Sequence, residues 1–128
     1  MSRIIRFEFH ATQPKVLIDF YTAIFGWHFS KVEPGGWWKI RTDSTDLSRV
    51  VGGMVQRPCA APASSSALNA FICTVEVDAL DETLARSLRL GAVVALAKMP
   101  VPHVGWLAYI KDPDGNLLGL MQLDSTVA

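Results

Sequence analysis

Charged side chains are scarce in this chain: 12 Lys and Arg balance 12 Asp and Glu, together 19 % of 128 residues, and the formal net charge is zero. No run of Lys or Arg occurs, so nucleic acid and anionic membrane are poor partners. No apolar stretch reaches the ~20 residues that a membrane-spanning helix needs. Met1-Ser2-Arg3-Ile4-Ile5-Arg6 contains no long apolar segment, which argues against a secretory signal. The two cysteines, Cys59 in a Pro/Ala/Ser stretch and Cys73 in an apolar one, form no pattern. They suit reduced thiols in the cytoplasm rather than a disulfide framework. Several chemistries lack their residues. Ser64-Ser65-Ser66 has no adjacent histidine for a hydrolytic triad, Cys59 has only Arg57 nearby to activate it, and Gly52-Gly53 is too short for a phosphate loop.

What the chain does have is apolar surface. Half of its residues are hydrophobic, and its length suits one domain, 1–128, with a sizeable core. The excess over a typical domain is available for a pocket or a subunit interface, and a buried dimer face is the plainer use.

The pattern reads as two similar halves. Arg3 to His10 alternates as a strand, with Ile5, Phe7 and Phe9 on one face and Arg6, Glu8 and His10 on the other. Thr12-Gln13-Pro14 opens a helix whose Val16, Leu17, Phe20, Tyr21, Ile24 and Phe25 recur at helical spacing, and Gly26 ends it. Trp27 to Glu33, Trp37 to Arg41 and Val50 to Gln56 follow as strands, with turns at Pro34-Gly35-Gly36 and Asp43-Ser44-Thr45-Asp46. The order then repeats. Leu68 to Glu76 is a strand. Asp78 caps a helix with Asp81 and Glu82 in its first turn; Leu80, Leu84, Ala85 and Leu88 form its apolar face, and Gly91 ends it. Ala92 to Lys98, Gly105 to Lys111 and Leu117 to Leu123 are strands. Between the last two, Asp112-Pro113-Asp114-Gly115-Asn116 makes a hairpin turn in which Pro113 presets φ and Gly115 or Asn116 takes a positive φ. The interval from Gly26 to Gly91 also separates Phe7 from Ile72 and Met54 from Gly119. The fold class is α+β: two βαβββ modules, 3–56 and 68–123, joined by a linker, 57–67, of small residues that serves as a connection or a lid.

In this order, Phe20-Tyr21-Thr22-Ala23-Ile24-Phe25-Gly26-Trp27, Gly52-Gly53-Met54, Val104-Gly105-Trp106 and the DPDGN turn resemble the glyoxalase/bleomycin resistance protein/dioxygenase (vicinal oxygen chelate) superfamily, in its small glyoxalase-like branch. The resemblance covers Arg3 to Leu123. It implies half-barrel modules that together enclose a cleft. In metal-dependent members it implies a His, Glu or Gln ligand on the first and last strand of each module. Counting back from Phe20-Tyr21 puts these positions at Arg6, near Gly52 to Met54, at Phe71 or Ile72, and at Gly119. An arginine has no lone pair to give a metal, and the others are not usual ligands. The expectation is therefore a protein with no cofactor; a divalent metal on Glu8 and His10 is the disfavoured alternative.

The expected ligand site comprises Glu8 and His10, one tryptophan of the adjacent Trp37-Trp38 pair, with Trp38 the candidate and Trp37 the alternative, Tyr109, and Gly119, whose missing side chain leaves room. Glu8 either meets the ligand or pairs with Arg6 or Lys111. The Tyr109 hydroxyl either donates to the ligand or belongs to an ordinary half-buried strand aromatic. Trp27 reads as core, and Trp106 as core or site. Such a site suits a flat or cationic small molecule. One function is small-molecule binding without metal, as the resemblance to drug-sequestering resistance proteins implies. Another is a glyoxalase-type lyase or isomerase, or another small-substrate enzyme, with Glu8 or Tyr109 as catalytic acid or base. A third is an accessory or sensor domain. A two-fold homodimer is expected.

Overall fold

Alternation of apolar side chains against a single helix organises each half of the chain. The structure, a computed structural model, describes residues 6–42, 50–61, 63 and 72–128. It divides into two units, Met1–Ala61 and Pro62–Ala128. The first carries β1 (Arg6–Ala11), α1 (Pro14–Phe25), β2 (His28–Val32), β3 (Trp37–Arg41) and β4 (Val51–Gln56). The second carries β5 (Thr74–Glu76), α2 (Leu80–Arg89), β6 (Val93–Val101), β7 (Gly105–Lys111) and β8 (Leu117–Leu123). The sheets have the same order, β1-β4-β3-β2 and β5-β8-β7-β6. In each, the first strand runs parallel to the last and the other pairings are antiparallel. The fold is α+β, made of two βαβββ modules. The expected turn at 43–46, the starts of both first strands and linker positions 62 and 64–67 lie outside the described residues. Among the described residues, no helix is long and apolar enough to cross a membrane.

The first module packs around α1. Pro14 occupies the first helical turn, where its missing N–H costs nothing. Gly26, at φ 70°, donates its N–H to the Thr22 carbonyl and closes the helix. Leu17, Phe20, Tyr21 and Ile24 are buried. Tyr21 has ring centroids of Phe20, Phe9, Trp27 and Phe25 at 5.0, 5.1, 5.2 and 6.0 Å. The aromatic run from Phe20 to Trp27 is thus the packing between helix and sheet.

The second module departs from expectation at α2. Asp78 does not cap the helix. Ala79 is the N-cap, with no side-chain bond of its own. The Leu80 N–H instead donates to Gln122 Oε1 of β8 at 2.8 Å, so the sheet supplies the cap. Leu88 is 45 % exposed, whereas Leu80 and Ser87 are fully buried. Seven residues make almost two full turns, so the stripe under Leu80 returns at position 87 rather than 88. Ser87 tolerates this burial because its hydroxyl donates to the Thr83 carbonyl at 2.7 Å. At the other end, Ala92 N–H reaches Ser87 O and Gly91 N–H reaches Leu88 O around a positive φ at Gly91. β6 extends past Lys98 through Pro100 to Val101. An edge strand accepts a proline, because half its N–H groups face away from the sheet.

The turn after β7 depends on Asp112, which is 3 % exposed. Its Oδ1 accepts from the backbone N–H of Asp114 and Asn116 at 2.8 and 2.9 Å, and its Oδ2 from Asn116 Nδ2 at 3.0 Å. Gly115 takes the positive φ, 84°. At the other end of β7, a Cβ on Gly105 would run into the Gln122 carbonyl oxygen, so the Val-Gly-Trp stretch marks a close backbone approach. Asp112→Ala is expected to lower stability by about 2–3 kcal/mol, since three donors lose their acceptor. Pro113→Ala, which removes only chain stiffness, is expected to cost less than about 1 kcal/mol. Urea denaturation of both variants checks the ranking.

Candidate functional site

Strand register decides which side chains share a face. In the first sheet Phe9, Met54 and Trp38 are successive cross-strand partners. Met54 is fully buried, and Phe9 packs on Tyr21, so this is the helix-covered face. Trp38 therefore belongs with the core side and not with the site, and its neighbour Trp37 takes the open face. Ile40, 1 % exposed, shares the Trp38 side by alternation. It is the signal in the sequence from which Trp37 was recoverable.

The open face of the first sheet carries Arg6, Glu8 and His10 from β1, Gly53 from β4, Trp37, Lys39 and Arg41 from β3, and His28 and Ser30 from β2. Glu8, Gly53, Lys39 and Ser30 lie in one row across the four strands. The Arg6 guanidinium sits 5.6 Å from the Trp37 ring centroid, within cation–π range. A Cβ on Gly53 would come within 3.2 Å of an Arg6 terminal nitrogen. The bare backbone of Gly53 is thus the gap across which Arg6 reaches β3. Glu8 Oε2 lies 3.2 Å from His10 Nε2, with the two side chains 51 % and 38 % exposed. Within the first module Glu8 pairs with His10. Arg57 ties down the end of β1, donating to the His10 carbonyl at 3.2 Å and to Thr12 Oγ1 at 3.1 Å.

In the second sheet Tyr109 lies between Ala108 and Ile110, both fully buried under α2. It therefore stands on the open face, opposite Gly119, which is in turn opposite Thr74. Gly119 leaves no room. A Cβ there would meet Thr74 Oγ1 at 2.6 Å and Tyr109 Cε1 at 3.1 Å, so those side chains already fill the space. Trp106 shares the helix side with Ala108 and Ile110. Lys98 Nζ lies 4.9 Å from its ring centroid and 3.1 Å from Asp81 Oδ1, joining β6 to α2. Trp27 is 7 % exposed and belongs to the core.

The two modules repeat one arrangement: a first-strand side chain, a glycine on the last strand, and a third-strand side chain. It is Glu8–Gly53–Lys39 in one and Thr74–Gly119–Tyr109 in the other. By backbone register the first-strand partners of the glycines are Glu8 and Thr74, while the side chain that reaches Gly53 is that of Arg6; Phe71 lies outside the described residues. Among the described residues, no three His, Cys, Asp or Glu side chains gather to hold a metal.

A sequence model of the glyoxalase-like domain matches residues 6–121. No curated protein sequence matches the chain. Among solved structures, TnmS3, an antibiotic binding protein from Streptomyces sp. CB03234, is similar at a TM-score of 0.67 and 22 % identity, over 97 % of this chain and 98 % of that one. A glyoxalase/bleomycin resistance protein/dioxygenase family enzyme from Burkholderia phytofirmans PsJN is similar at 0.69 and 13 %, over 96 % and 100 %. The fosfomycin resistance protein FosX from Listeria monocytogenes is similar at 0.68 and 14 %, over 97 % and 95 %. These likenesses show a common fold.

Gly119→Leu is expected to lose about 1–3 kcal/mol, because Thr74 and Tyr109 must both be displaced. Thermal unfolding of the variant checks this; an unchanged melting temperature would restore the reading of Gly119 as open space.

Proposed function

We propose that this chain, which belongs to the glyoxalase-like domain family, binds a small organic molecule and does so without the family's metal. The observation that carries the second part is the donor set on the paired first and last strands. Those positions hold Glu8 and Gly53 in one module and Thr74 and Gly119 in the other. Zinc and related ions want three or four imidazole, carboxylate or thiolate donors. One carboxylate, two glycines and a threonine do not fit them. The small-molecule reading draws support from the shared fold of an antibiotic binding protein and a fosfomycin resistance protein. Arg6, Glu8, His10 and Trp37 are the proposed binding residues of the first sheet, and Tyr109 that of the second. The exposed, unpaired thiols of Cys59 and Cys73 suit the proposed cytoplasmic location.

A second reading, an enzyme acting on a small oxygenated substrate, is favoured by the carboxylate–imidazole pair of Glu8 and His10 at 3.2 Å. Such a pair suits proton transfer. The two readings separate in one experiment. A ligand found by thermal-shift screening raises the melting temperature and is recovered unchanged if the protein only binds it. Turnover abolished by Glu8→Gln supports the enzyme.

For the metal, zinc, nickel or manganese is expected to leave the melting temperature unchanged, and so is a chelator. About one equivalent of transition metal in purified protein, with melting lowered by a chelator, would overturn the metal-free reading. The protein is also proposed to be a two-fold homodimer. Edge strand β6 offers apolar surface for it, with Val93 61 %, Leu96 43 % and Met99 39 % exposed. Sedimentation at micromolar concentration is expected to give twice the 14.0 kDa chain mass; a species of single mass counts against it.

A further inference from the structure

The open face of the first sheet is cationic. Arg6, Lys39 and Arg41 share it, against one carboxylate, Glu8. Glu8 is already paired with His10. Among the described residues, none of the three cations has a carboxylate at ion-pair distance. The whole chain is formally neutral, so this concentration of positive charge is local. Two features make the face more than a solvated strand surface. Arg6 is laid over the bare backbone of Gly53 and against the Trp37 ring, which restricts its side chain and lowers the entropy cost of recruiting it. Trp37 also adds an apolar, polarisable surface beside the charge.

We propose that this face binds an anionic, flat small molecule. Its oxyanion, a carboxylate or a phosphate, sits among Arg6, Lys39 and Arg41, and its ring lies toward Trp37. A guanidinium presents paired N–H donors that match both oxyanions, and the neighbouring charges add attraction without a directional demand. The inference rests on the small-molecule reading above and sharpens it. Of the flat or cationic molecule expected from the sequence, it keeps the flatness and reverses the charge.

The test is an amide chemical-shift titration of the whole protein at low ionic strength with four probes: benzoate, phenyl phosphate, benzamide and benzyltrimethylammonium. Benzoate or phenyl phosphate is expected to shift the amides around Arg6, Trp37, Lys39 and Gly53, and the stronger of the two identifies the preferred oxyanion. Benzamide and the ammonium probe are expected to bind at least about tenfold more weakly, and added salt to weaken the anions. Arg6→Gln and Lys39→Gln are each expected to weaken the anion by about tenfold or more. Lys15→Gln, which alters a cation paired with Asp19 on α1, is expected to leave binding unchanged. The dispersion of each variant's spectrum reports its folding in the same measurement. Benzamide or the ammonium probe binding as well as the anions overturns this inference and leaves small-molecule binding standing. Shifts confined to other elements overturn it as well. Silence from all four probes overturns both.

Discussion

The parallel pairing of each module's first strand with its last is the constraint on which the rest depends. It brings residues more than forty positions apart into one row, and it does so at a glycine in both halves. A side chain at Gly53 would displace Arg6, and one at Gly119 would collide with Thr74 and Tyr109. The glycines keep the centre of each open face low, so that long side chains from the flanking strands reach over it. The helix-covered faces are the converse. There Met54, Ile40, Leu120 and Ile110 are buried to 1 % exposure or less, and burial at this level fixes the register. Register in turn decides which residues reach the open face.

From that common frame the modules diverge. In the first, the gap over glycine is bridged by a charged side chain held on an indole. In the second, the volume a Gly119 side chain would take is filled by a threonine and a tyrosine. One sheet face presents charge and hydrogen-bonding groups; the other presents the Tyr109 ring, with Leu107, Lys111 and Met121 in the neighbouring rows of the same face. The same backbone duplication thus carries two different chemistries, consistent with the weak similarity between the halves in sequence.

The fold was legible because its signals are local. Pro14 and Gly26 bracket α1, Gly91 closes α2, and the strands from Trp37, Gly105 and Leu117 begin and end where alternation and turn residues place them. The errors were long-range. Asp78 is a good N-cap residue, but the structure uses Gln122, forty-two positions from the Leu80 N–H it accepts, and nothing local announces that. The role of Asp112 was hidden in the same way behind Pro113 and Gly115, which explain the turn's φ angles but not what satisfies its N–H groups. For the candidate site, face alternation put Arg6, Glu8 and His10 together correctly. Adjacent tryptophans point to opposite faces, so the pair alone leaves Trp37 and Trp38 as alternatives, and the burial of Ile40 assigns Trp38 to the helix side. At Gly119 the sequence shows a missing side chain but not Thr74 and Tyr109, the neighbours that occupy its volume.

The difference between an arginine and a metal bears on what such a site can do. A divalent ion has vacant coordination positions. It polarises a bound carbonyl and lowers the pKa of a bound water to about 7 in zinc enzymes. A guanidinium supplies permanent charge and directed N–H donors, but it accepts no lone pair and activates no water. On the proposed face, Arg6 would hold an oxyanion in place and leave its bonds as they were. Glu8 and His10 are the neighbouring groups able to move a proton, and their exposed pairing is open to water on the same side. Catalysis there would need water excluded from that pair, whereas holding an anion needs only the charge and the ring already in position. On the proposed reading, the arrangement of Arg6, Gly53 and Trp37 suits sequestration more than turnover.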